Sequence, residues 1–392
     1  MKNKDGMPLF ASLLVIYMAA AAALFYLEAI AYNGVYPSDV MMYLDWARGL
    51  PTLYIFPYPV FFWVIKFFYL FMPIEPAETV ALTLFCGAFA TVMWLYIRKS
   101  LDGAGLGRLS CGNTAALAAF ALLYVGAIPV TDQGFHYVGM FPPNEWHNAT
   151  YMAARVFFLL AFITSAVGLR KLRYDNEVKL RDWLQTAAFA LLAVLTKPSF
   201  PLALLPTVAL VLLVILLIGR FKNFGNVFKF GLAYIPAGIA MLIQFYLNYL
   251  SPASTGRIYS YFGVVWYHFI DSVTLGVLGG MLFPITVLVF NLKKFKVLSA
   301  FTFAWLVWLT AFLQAAFLFE SGERLTHANL FGAYIGASMM CFIVSIIHLI
   351  RETADKTRPR RKYIFVSWTA LAVQFAWGLW YFIFLLQGNK YL

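Results

Sequence analysis

The chain reads as a series of long apolar runs separated by short polar stretches. A membrane-crossing helix needs about 20 mostly apolar residues. Such runs fall at 8–32, 75–97, 113–131, 149–169, 183–195, 201–218, 230–250, 272–292, 298–319, 330–350 and 364–386. The pattern predicts one all-α polytopic domain over residues 1–392, with about eleven spans and no soluble stretch long enough for a separate domain. The run at 59–72 is a further apolar piece. At 1.5 Å per residue it covers only ~21 Å of a ~30 Å hydrocarbon core, so it is expected to lie in the interface or re-enter, with Lys66 snorkelling. The 7–31 run is too long for the apolar part of a signal peptide, with no clear cleavage site after it, so it is expected to stay as the first span.

Composition agrees: 62% of residues are hydrophobic and 12% charged, which a soluble domain of 392 residues would not tolerate. The net charge of +12 does not point to nucleic acid, because the basic residues sit in short loops and so set membrane orientation and contact with anionic lipid. With the N-terminus inside and the C-terminus outside, all but seven of the 29 Lys and Arg fall on the inner side. The exceptions are Arg48, Lys66, Arg155, Lys197, Arg257, Arg324 and Lys390. Cys86, Cys111 and Cys341 have neither disulfide-framework nor metal-cluster spacing and are expected to pack.

The mixed polar chemistry collects in the segments this threading places outside. Residues 33–74 form the first outer loop, with interfacial helices. In YPSDVMMYLDWARGLP, Ser38 or Asp39 can cap a short helix, with Tyr43 one turn beyond Asp39 and Asp45 near Arg48. Residues 132–148 carry Asp132, His136, Glu145 and His147, which could bind a substrate or a divalent metal, although no strict zinc spacing is present. The hairpin tip at 196–199 holds Lys197, residues 248–271 hold Arg257 and Tyr259, and residues 319–329 hold Glu320, Glu323, Arg324 and His327. Structural roles compete: Asp45 also reads as the partner of Arg48, Glu320 and Arg324 as an i,i+4 ion pair, and the tyrosines as an interfacial belt. A carboxylate at the membrane edge costs free energy unless it is paired or functional, which makes Asp39 the leading residue.

Asp39, Tyr43 and Ala47 after the first span, then Pro57-Tyr58-Pro59-Val60 leading an apolar helix, follow an order that resembles the GT-C superfamily of polytopic glycosyltransferases. The resemblance is to members that use polyprenyl-phosphate carriers, such as protein O-mannosyltransferases and the aminoarabinose transferase of lipid A. It covers the first ~100 residues in motif order and the remainder in topology only. The family usually has Glu directly after the Asp; here Val40 follows Asp39. The resemblance implies a polyprenyl-phosphate sugar donor, a glycan, lipid or protein acceptor, and Asp39 as general base. It also implies a site on the outer face of a plasma membrane, of bacterial inner-membrane type. Lys197, Arg257 and Arg324 are the cations available for the departing phosphate. A polymerase or ligase of lipid-linked glycans, and a transporter or flippase of lipid-linked sugars, are the alternative readings. The absence of a visible internal repeat and the one-sided chemistry weigh against the transporter.

Overall fold

The computed structural model describes residues 6–31, 38–51, 56–130, 137–175, 177–252, 254, 256–292, 299–355 and 360–389. The helices are α1 (Met7–Tyr26), α2 (Asp39–Gly49), α3 (Pro59–Tyr69), α4 (Ile74–Ser100), α5 (Arg108–Tyr124), α6 (Ala149–Tyr174), α7 (Leu180–Thr196) and α8 (Ser199–Ile218). They continue as α9 (Phe224–Gly231), α10 (Ile235–Phe245), α11 (Val264–Phe269), α12 (Val273–Asn291), α13 (Ala300–Phe317), α14 (Phe331–Ala354) and α15 (Arg361–Leu386). Short π-helical turns, Leu27–Ala31 and Tyr246–Leu250, extend α1 and α10. Among the described residues nine helices are long and apolar enough to cross a membrane, so this is an all-α integral membrane protein whose apolar flanks meet lipid. Two further helices, α5 and α7, have 17 residues each, about 26 Å of helix.

The chain's own signals start and stop these elements. Ser38 caps α2 by accepting from the amide of Val40, with Asp39 in its first turn and Arg48 in its last, both favoured by the helix dipole. Asn148 caps α6 through the amide of Tyr151, and Ser272 and Ser299 do the same for α12 and α13. Pro198 follows the end of α7 and α8 starts at once. Helix α14 is buried on nearly all sides and forms the centre of the bundle, consistent with apolar residues around its whole circumference.

Helix ends sort onto two faces. On one, Arg351 bonds the carbonyl of Ser100, Arg360 bonds Asn291, Lys171 pairs with Asp182 at 2.5 Å, and Trp183 bonds the carbonyl of Lys229. Basic residues crowd this face. On the other, Ser38 and Asp39 bond the carbonyl of His147, Lys197 bonds Asn148, and Tyr249 bonds Glu320. The ring of Tyr58, just before α3, lies under Lys197, and Glu75, in the first turn of α4, bonds Arg48 of α2.

Two features depart from the hydropathy reading. The run expected as one helix over 113–131 is helical only to Tyr124. Residues 125–130 then run extended, with Gly126 bonding the carbonyl of Gln374 and Ile128 that of Gly279. A buried extended backbone is tolerated because α12 and α15 supply its partners; the Gln374 side chain also donates to the carbonyls of Gly126, Gly279 and Gly280. The second departure is a two-stranded antiparallel ribbon, β1 (Ile258–Ser260) with β2 (Leu318–Glu320), which ties the segment before α12 to the segment after α13.

Candidate functional site

Three segments far apart in sequence meet at Asp39. The amide of Asp39 donates to the carbonyl of His147 at 3.1 Å, and the Ser38 hydroxyl donates to the same oxygen at 3.3 Å. This lays the first turn of α2 on the turn that precedes α6. At the α7–α8 junction the Lys197 ammonium donates to Asn148 Oδ1 at 3.1 Å and to Thr150 Oγ1 at 2.9 Å. It also sits 5.6 Å over the ring of Tyr58. Thr150 donates to the Tyr43 hydroxyl at 3.1 Å, closing a loop from α2 through α6 to Lys197. Gly332 opens α14 against this junction, where a Cβ would fall 2.6 Å from Ser199 Oγ; any side chain there would push the lysine's segment away.

The electrostatics are unbalanced in a useful way. Lys197 is 4% exposed, yet no described carboxylate makes an ion pair with it within 4.0 Å. Burial pulls its ammonium below the ordinary lysine range, against the attraction of Asp39 and Glu145. Glu145 is buried too, and its carboxyl is pushed up to about 8, chiefly by desolvation, with Lys197 opposing and Asp39 adding to the rise. His147 is half-buried and pulled below its ordinary value by desolvation, despite the nearby Asp39. The Tyr43 phenol is raised by burial first and by Tyr58 and Asp39 next. A buried ammonium that, among the described residues, hydrogen-bonds only to neutral oxygens and closes no ion pair keeps capacity to receive an anion.

Asp45 pairs with Arg48 at 2.7 Å on the exposed side of α2, as a local partner. Asp132 and His136 lie outside the described residues, as does the side chain of Glu323. Glu320, Arg324 and His327 group with the β1–β2 ribbon. Glu320 accepts from Tyr249 at 2.8 Å, from Asn329 at 2.7 Å and from Arg324 at 3.5 Å. Arg257, just before β1, and Tyr259, on β1, are exposed, Tyr259 stacking on Phe319. Tyr58 borders both groups, since it perturbs Tyr249 as well as Tyr43. No cluster of three or more metal-ligating side chains occurs among the described residues.

Several residues escaped the sequence reading. Tyr58, Asn148 and Thr150 line the lysine, and Tyr58 holds a left-handed backbone (φ 59°) that non-glycine residues seldom adopt. Arg155, inside α6 and 1% exposed, bonds Asn144 Oδ1 at 2.5 Å, while Asn144 donates to the carbonyls of Leu122 and Val125. That clamp fixes the turn carrying Glu145 and His147. Glu28 and Glu78 are fully buried where α1 and α4 approach α2. All three of these ionisable residues lie within two turns of the helix ends that face the site. A scan for charges inside apolar runs would have found them. Compared with protein-family models, with curated proteins and with solved structures, the chain matches none.

Proposed function

We propose that the protein is a membrane glycosyltransferase that moves a sugar from a polyprenyl-phosphate donor to the hydroxyl of an extracytoplasmic glycan, lipid or protein acceptor. One observation carries this reading: the buried Lys197 ammonium, ion-paired with no described carboxylate, lies in the same cluster as Asp39. Inverting transfer needs a base for the acceptor hydroxyl and positive charge at the departing phosphate. Asp39 takes the first role and Lys197 the second. The clustering of Glu28, Glu78 and Arg155 toward the same end favours a one-sided enzyme over a transporter, which would distribute polar groups through the bundle.

The topology that goes with this reading has eleven spans, α5 and α7 included, the N-terminus inside and α3 not crossing. Its support is the basic character of the face opposite the site, together with the shortness of α3, 11 residues or ~17 Å of helix. Cysteine labelling at Ser100 and Ser321 tests it: Ser321 should label from outside and Ser100 should not. The activity is tested by incubating purified protein with a panel of polyprenyl-phosphate sugars, with and without divalent metal, and following donor hydrolysis and transfer. Turnover of none of them would refute the reading.

A further inference from the structure

Two carboxyl groups flank Lys197, and their settings differ. Asp39 stands half-buried in the first turn of α2, with its amide held by the carbonyl of His147. Glu145 is 8% exposed in a turn held from below by the Arg155–Asn144 clamp, with Trp146 buried beside it. Among the described residues the Glu145 carboxyl takes part in no hydrogen bond. A buried carboxyl without partners is stable only when it carries its proton, and a protonated carboxyl offers one O–H donor. The charged and titratable groups acting on it from the packed elements are Lys197 at the α7–α8 junction, Asp39 of α2 and Tyr151 of α6. Two carboxyls held apart in this way around one cation divide into an acid and a base.

We infer that Glu145 is the general acid of the transfer reaction, giving its proton to the phosphate oxygen that leaves the sugar. This rests on the glycosyltransferase reading above. The bond between C1 of the sugar and the bridging phosphate oxygen breaks, and its electron pair stays on that oxygen, which takes the proton of Glu145. The acceptor oxygen bonds to C1 from the opposite side, and its proton passes to Asp39. Proton count is conserved: one leaves Glu145, one arrives at Asp39, and exchange with solvent resets both. Lys197 stays charged throughout and holds the non-bridging oxygens. A phosphate monoester that departs protonated is a better leaving group than the dianion, which gives the buried acid its purpose.

Glu145→Gln tests this, since the amide keeps the shape and can donate a hydrogen bond but has no proton to transfer. Using the polyprenyl-phosphate sugar that the wild type accepts, the transfer rate should fall about 10²–10⁴-fold. Binding of a non-hydrolysable polyprenyl-phosphate analogue should stay at the wild-type level. The wild-type rate should also fall on the alkaline side, above the Glu145 value of about 8, and the residual rate of the variant should lack that fall. Wild-type turnover by Glu145→Gln, an unchanged alkaline fall, or loss of analogue binding in step with rate would each overturn the inference. If Asp39→Asn abolishes transfer while Glu145→Gln does not, the acid assignment alone is wrong. If the wild type transfers from no donor, the glycosyltransferase reading fails and takes this inference with it.

Discussion

The clusters around Lys197 and around Arg324 use similar residues at neighbouring places and reach opposite electrostatic states. Arg324 is one-third exposed and lies 3.5 Å from Glu320, whose carboxylate is further satisfied by Tyr249 and Asn329. That carboxylate is satisfied: among the described residues Glu320 meets one cation and two neutral donors beside the ribbon. Lys197 is 4% exposed, and among the described residues its ammonium is met by Asn148, Thr150 and the face of Tyr58. Its two nearby acids perturb it without pairing to it. A neutralised cation stabilises a loop, whereas a buried cation without a counter-ion keeps its binding capacity for a ligand.

The largest effect that would sharpen this contrast is on chemistry. Asp39→Asn keeps the size of the side chain while removing the proposed base, and should cost about 10²–10⁴ in transfer rate with donor-analogue binding intact. Asp45→Asn, on the exposed side of the same helix, should cost far less. Near-normal transfer by folded Asp39→Asn would reduce Asp39 to a residue of the helix start.

Next in size is the phosphate. Lys197→Gln removes a charged hydrogen bond worth about 1.5–3 kcal/mol, so analogue affinity should fall tenfold or more. Arg324→Gln should leave that affinity unchanged. Equal losses in the two variants would erase the distinction between the clusters.

The third prediction concerns pH and stability, and needs no substrate. The Glu145 carboxyl lies at about 8 in the folded protein, above its ordinary value of 4.5. The folded state therefore holds this proton more tightly, and the stabilisation is fully present below about pH 4.5 and lost as pH rises through about 8. In detergent, the melting temperature of the wild type relative to Glu145→Gln should drop between pH 5 and pH 9. A difference that stays constant with pH would show that Glu145 is not held protonated.

The smallest effect is expected at the satisfied pair. Because Arg324 is partly exposed, Arg324→Gln should shift stability by only about 0.2–1 kcal/mol, read as a small change in melting temperature. A collapse of the fold on this substitution would mean that the Glu320 group carries more of the structure than its geometry implies.

Much of this architecture is legible in the chain. Hydropathy marks the long helices and the short α3, Ser38 announces the start of α2, Pro198 breaks the α7–α8 hairpin, and the basic loops sort the helix ends. These are local signals: a span is a property of about 20 consecutive residues, and a cap of about four. The contents of the site are different. That Asp39 docks on His147, that Lys197 reaches Asn148 and Thr150, and that Glu145 is buried while Asp45 is not all depend on how helices from distant parts of the chain pack. The extended stretch over 125–130 makes the same point, since it reads as helix and is held otherwise by partners on α12 and α15. Periodicity and capping act within a few turns. Burial, counter-ion supply and backbone partners are set by neighbours tens to hundreds of residues away, and the tertiary structure alone chooses them.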